Sequence, residues 1–114
     1  MRTAVIDVGS NSIKLLVADR GAGGTVEEVL SRTLEVRIGT GIGSGSPHLT
    51  HDGMERGLAA VTALMTEARS LMADRFTLVA TSAVRDASNG AVFQERVKEE
   101  TGLELRIPMA RISR

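Results

Sequence analysis

Two apolar runs of strand length stand close together near the amino terminus, Thr3-Ala4-Val5-Ile6 and Ile13-Lys14-Leu15-Leu16-Val17-Ala18. Both are short and built from β-branched or aliphatic residues, so they predict the two strands of a hairpin. That pairing makes a turn of the block between them, Asp7-Val8-Gly9-Ser10-Asn11-Ser12. A hairpin turn needs only a glycine and a polar residue or two, whereas this one carries a carboxylate and a run of small donors. Such a loop can aim N–H groups and hydroxyls at an oxyanion while the carboxylate faces a metal ion or water. A plain polar turn without a ligand accounts for the same residues equally well.

Beyond the glycine-rich turn Arg20-Gly21-Ala22-Gly23-Gly24-Thr25, residues 26–38 read as a third strand, with Val29, Leu34, Val36 and Ile38 apolar and Arg32, Glu35 and Arg37 between them. Three strands joined by short turns predict an antiparallel meander. Gly39 to Gly45 hold four glycines in seven positions. With no Lys-Ser/Thr after them, they read as a surface loop rather than a phosphate cradle. His48 and His51 follow, but as metal ligands they would need partners that a chain without cysteine or further histidine does not supply.

Leu58, Val61, Leu64, Met65, Ala68, Leu71 and Met72 recur at steps of three and four, the apolar stripe of a long helix. Thr50 is its expected N-cap, Asp52 and Glu55 suit the dipole of its first turn, and both methionines are expected in the core. Phe76 to Ala80 then reads as a buried strand, running into Thr81-Ser82-Ala83-Val84-Arg85-Asp86. Small hydroxyl residues and an arginine at the carboxyl end of a strand occupy the edge where open α/β sheets bind ligands. Arg85 has the fork geometry for phosphate oxygens, and equally a ready partner in Asp86. A second helix is expected from Ser88 or Asn89, with Val92, Phe93 and Val97 inward and Gly102 as C-cap, then a last strand over 103–107 ended by Pro108. The order predicts a mixed five-stranded sheet whose later strands are parallel and joined by right-handed crossovers.

Composition narrows the function classes. The chain of 114 residues suits one domain. Its 14 basic and 14 acidic residues cancel, giving no charge argument for a polyanion surface. Phe76 and Phe93 are the only aromatics, which argues against base stacking and so against a nucleic-acid partner. The absence of cysteine removes disulfides and thiolate chemistry. Without a long apolar segment or a signal-peptide core, no membrane partner and a cytoplasmic location are expected.

Two blocks carry a resemblance beyond this α/β reading. The stretch from Ala4 to Val17, with its Asp7-Val8-Gly9-Ser10-Asn11-Ser12 loop, and the stretch from Val79 to Gly90, with Ala80-Thr81-Ser82-Ala83-Val84-Arg85, resemble the exopolyphosphatase and guanosine pentaphosphate phosphatase (Ppx/GppA) family. Val36 to Gly41, the helix start from Leu49 to Arg56, and Thr101 to Leu105 are similar to it as well. The Ser-Asn-Ser loop separates this family from sugar kinases, Hsp70 and actin. The resemblance implies one half of the actin-like ATPase (ribonuclease H-like) fold, covering residues 1–107. It also implies a substrate of inorganic polyphosphate or a guanosine polyphosphate, hydrolysed with Mg²⁺. Asp7 would then organise the metal or phosphate end, Gly9, Ser10, Asn11 and Ser12 would hold phosphate oxygens, and Arg85 would neutralise developing charge.

The departures shape the expectation as much. The family continues into a Ser-Gly-x-Glu-Glu-Ala stretch, whose glutamate serves as general base, and later an Asp-x-Gly-Gly-Gly-Ser loop. Here Pro108-Met109-Ala110-Arg111-Ile112-Ser113-Arg114 match neither. No carboxylate of the chain, Asp7 and Asp86 included, replaces that base. The expectation is therefore an amino-terminal part of such a hydrolase, inactive alone and lacking the carboxyl-terminal half of its cleft. The alternatives are a non-catalytic phosphate-binding or regulatory fragment, or half of an ATP-dependent kinase of the same superfold. Apolar surface near Val84 or the last strand is expected to be exposed and to favour a homodimer.

Overall fold

The computed structural model describes residues 1–38 and 48–107; the Gly39–Gly45 loop and the tail from Pro108 lie outside them. Strands β1 (Arg2–Val8), β2 (Ser12–Arg20) and β3 (Val26–Glu35) form the expected meander. Helix α1 (His51–Ser70), strand β4 (Arg75–Ala80), helices α2 (Ser82–Asp86) and α3 (Gly90–Thr101), and strand β5 (Leu105–Arg106) follow. The sheet order is β3-β2-β1-β4-β5, with β1 antiparallel to β2 and parallel to β4, and β4 parallel to β5.

Alternation sorts the faces. Ala4, Ile6 and Val8 of β1 and Ile13, Leu15 and Val17 of β2 are fully buried. They meet the α1 stripe of Leu58, Val61, Leu64, Met65 and Ala68, together with Phe93 and Val97 of α3. Asp7 and Lys14, out of phase with those residues, lie on the opposite face and are exposed. The Thr50 hydroxyl accepts the Gly53 N–H at 2.9 Å and caps α1 as expected.

Six expectations are corrected. The third strand stops at Glu35 rather than Ile38, because the N–H groups of Val36 and Arg37 turn to the Asn11 carbonyl (2.9 and 2.8 Å) and Arg37 adopts φ 56°. Helix α1 ends at Ser70 in a Schellman turn, with Ala73 N–H bonded to Ala68 O and Met72 N–H to Arg69 O. That turn puts Met72 at φ 65° and leaves it 78% exposed, so of the two methionines only Met65 is core. The residues after β4, where the expected order holds no element before the second helix, form the short helix α2. The last strand covers only Leu105–Arg106 rather than 103–107. Val92, expected on the inner face of α3, is 51% exposed, while Phe93 and Val97 are buried. Finally, Val84 and Leu105 are buried; among the described residues the exposed large apolar side chains are instead Met1, Leu16, Val26, Val29, Met72 and Val92.

Candidate functional site

Parallel pairing of β1 with β4 brings two carboxyl ends together. Asp7 is in register with Val79 and Val8 with Ala80, and the Thr81 N–H continues the ladder to the Val8 carbonyl at 3.1 Å. The chain leaves β1 through the Gly9–Ser12 loop and leaves β4 through α2, so both blocks singled out in the sequence open at one edge of the sheet. This is the edge at which open α/β sheets gather ligands.

Within the loop the residues divide their work. The Gly9 N–H bonds the Ser12 carbonyl at 3.0 Å and closes the turn, and a Cβ on Gly9 would lie 3.1 Å from that same oxygen. Gly9 therefore shapes the turn, and its amide is already engaged. The Asn11 carbonyl accepts both N–H groups from Val36 and Arg37. The N–H groups of Ser10 and Asn11, and the side chains of Ser10, Asn11 and Ser12, bond to nothing else among the described residues. They are the donors available to an oxyanion.

Asp7 is exposed at the end of β1 and likewise has no hydrogen bond or ion pair among the described residues. Its partner across the antiparallel ladder is Lys14, also exposed, a cation beside the carboxylate that the sequence reading passed over. Only the strand register reveals that pairing. Among the described residues no group of three or more His, Asp or Glu is close enough for an all-protein metal cage. A single unengaged carboxylate does fit Mg²⁺, which commonly takes one or two carboxylates and completes its shell with substrate phosphates and water.

Arg85 sits one helical turn past β4, its N–H bonded to the Thr81 carbonyl at 3.0 Å. Its guanidinium pairs with Asp86 (Nε to Oδ1, 3.2 Å), at a site where the two side chains are 37% and 60% exposed. An ion pair that open is weak and exchanges readily for a phosphate. Asp86, in turn, is occupied by the arginine.

A hollow of about 580 Å³ lies elsewhere, at the amino end of β1, lined by Arg2, Asp19, Arg20, Glu27, Met72 and Asp74 among others. It is roughly 17 Å along the strand from Asp7. There Arg2 forks onto Asp19, which raises the arginine pKa and lowers that of the aspartate.

Comparison with known proteins places this geometry. The profile of the Ppx/GppA phosphatase family matches residues 16–108, a span that begins just after the loop. Exopolyphosphatase 1 of Mycobacterium tuberculosis is 36% identical over 105 residues, which is 92% of this chain and 30% of that protein. A guanosine-5'-triphosphate,3'-diphosphate pyrophosphatase of Aliivibrio fischeri is 28% identical over 104 residues, 91% of this chain and 20% of the relative. The crystal structure of the Aquifex aeolicus Ppx/GppA family member superposes with a TM-score of 0.88 at 31% identity, covering 96% of this chain and 35% of that one. The fold is thus the expected half of an actin-like ATPase fold. The chain spans about a third or less of the length of the relatives it matches.

Proposed function

Because the chain belongs to the Ppx/GppA phosphatase family, we propose that it forms one wall of a phosphoanhydride hydrolase site. The substrate would be inorganic polyphosphate or guanosine pentaphosphate. The observation that carries this reading is the shared edge of β1 and β4, where a loop with unengaged donors opens beside the element bearing Arg85. In phosphoryl transfer the protein contributes mainly position and charge stabilisation. Ser10, Asn11 and Ser12 would bind and orient terminal phosphate oxygens. Arg85 would leave Asp86 to meet the same group. Asp7 would hold Mg²⁺, whose contribution when bound is to neutralise charge on the phosphate oxygens.

Hydrolysis also needs a base within hydrogen-bond reach of the attacking water. Asp7 is assigned to the metal, and the chain lacks the Ser-Gly-x-Glu-Glu stretch that carries the family's base, so the chain by itself is expected to bind without turning over. That is also the point at which a purely phosphate-binding role, the second reading, parts from the hydrolase reading. Titrating the purified chain with tripolyphosphate tests the site. Arg85→Ala should weaken binding about tenfold, the usual worth of one charge-assisted hydrogen bond. Equal affinity of the two proteins would remove Arg85 from the site. Mg²⁺-dependent phosphate release by the chain alone would overturn the expectation of inactivity.

A further inference from the structure

The segment that follows β3 is held more firmly than its place between two elements requires. The Nε of Arg56, in the second turn of α1, donates to the Val36 carbonyl at 3.0 Å, and its Nη2 donates to the Arg37 carbonyl at 3.0 Å. The N–H groups of those same two residues converge on the Asn11 carbonyl at 2.9 and 2.8 Å. Convergence of consecutive N–H groups on one acceptor accompanies the left-handed backbone at Arg37, φ 56°. A non-glycine residue keeps that conformation only where its surroundings enforce it.

Two glycines on α1 complete the seat. A Cβ on Gly53 would lie 2.9 Å from the Ile38 carbonyl oxygen, and one on Gly57 would lie 2.8 Å from the Ile38 Cδ1. The helix is bare where the segment lies on it. Ile38 itself is fully buried. A continuous set of contacts therefore runs from α1, through Arg56 and the 36–38 segment, to the backbone of the loop.

We propose that Arg56 is a positioning residue: it braces the Val36–Arg37 strut that holds the Asn11 turn in the shape that presents its donors to phosphate. This rests on the phosphate reading of the loop given above and adds the element that sets the loop's geometry. Arg56 works through two carbonyls rather than through the anion. Its removal should therefore loosen the loop without removing a charge that the substrate feels.

The test uses the full chain as wild type, Arg56→Ala, Arg56→Lys and Arg85→Ala. Amide exchange and chemical shifts are followed by NMR, and tripolyphosphate is titrated at low and high ionic strength. Arg56→Ala should lose exchange protection at Val36 and Arg37, shift the Ser10 and Asn11 amides, and bind about tenfold more weakly, as losses of outer supporting partners commonly do. Its salt dependence should remain that of wild type, whereas Arg85→Ala should flatten it. Arg56→Lys, able to reach one carbonyl at a time, should fall between. It also carries the test if the alanine variant does not fold.

Unchanged protection at Val36 and Arg37 with near-wild-type affinity would overturn the proposal. So would a salt dependence flattened as in Arg85→Ala, because Arg56 would then be touching the anion. If the amides respond as expected but wild type itself does not bind tripolyphosphate, the strut stands and the phosphate reading falls.

Discussion

At the amino end of β1, Arg2 places Nε and Nη2 on the two oxygens of Asp19 (2.7 and 2.9 Å) and Nη1 on the Leu71 carbonyl (2.6 Å), while its own N–H reaches Asp74 at 2.9 Å. At the carboxyl end of the same strand, Asp7 and the side chains of Ser10, Asn11 and Ser12 have no such partners among the described residues. Both ends are polar and both are partly open to water. One end pairs Arg2 with Asp19 and ties β1 to β2 and to the α1–β4 turn. The other leaves donors and a carboxylate unmatched, on a backbone fixed from behind by Val36 and Arg37. Polar residues that satisfy one another hold a fold together; polar residues held in place but unsatisfied are available to a ligand. The size of a hollow is a poorer guide, since the 580 Å³ one lies at the satisfied end.

The largest expected effect bears on how rigidly the open end is built. Gly90, where α3 begins, faces the Val84 carbonyl so closely that a Cβ would lie 2.2 Å from that oxygen. Since the obstacle is backbone, Gly90→Ala must push α2 and α3 apart. Overpacking of this kind should cost about 3 kcal/mol by urea denaturation. Arg85 rides on α2, so tripolyphosphate affinity should fall with it. A variant as stable as wild type that binds normally would mean that α2 has no fixed seat, and the contrast between the two ends would lose one side.

The satisfied end predicts the reverse pattern. Arg2→Ala should lower the melting temperature yet leave tripolyphosphate affinity within about twofold, because well-separated sites act independently. The pH dependence follows from Asp19, whose pKa in the folded chain is lowered chiefly by its hydrogen bond to Arg2, against a smaller opposing effect of burial. The unfolded chain, with the ordinary Asp value of about 3.9, takes up the proton first. The pair's contribution is therefore present above that pH and is lost as the pH falls through the lower folded value. Thermal melts from neutral to acid pH should show wild type losing stability from about pH 4 downward, and Asp19→Asn losing less over that range. Parallel curves for the two proteins would remove the pair from the acid response.

Much of this arrangement is legible in the sequence, for a physical reason. The short apolar runs Thr3–Ile6 and Ile13–Ala18, and the three–four stripe from Leu58 to Ala68, record burial, and burial marks the strands and the inward helix face. The Asp7–Ser12 block and Arg85 could be singled out because carboxylates, hydroxyls and a guanidinium at strand ends need a reason to be there. What stayed hidden are ties between residues far apart in the chain. Val36 and Ile38 continue the apolar pattern of β3, yet their segment leaves the sheet for the Asn11 carbonyl. Met72 fits the helical stripe, yet the helix stops two residues before it. Arg56 is one more charged residue in an amphipathic helix until the carbonyls it reaches are seen. Lys14 becomes a neighbour of Asp7 only once the strand register is known.

The smallest expected effect is the most delicate probe of the open end. Gly9 has an ordinary negative φ, so alanine meets no backbone penalty there; its Cβ would approach only the Ser12 carbonyl oxygen, at 3.1 Å. That oxygen accepts the bond that closes the turn, and a few tenths of an ångström of movement would relieve the contact. Gly9→Ala should therefore cost no more than about 1 kcal/mol in stability, the low end of overpacking. The displaced carbonyl belongs to the same turn as the Ser10 and Asn11 amides, so tripolyphosphate binding should fall by more than the stability loss alone implies. Binding that weakens while the melting curve barely moves would place the donors' geometry, rather than the loop's mere presence, at the centre of the site. Binding and stability both unchanged would mean that the turn tolerates movement, and that the contrast with the amino end rests on Asp7 and Arg85 alone.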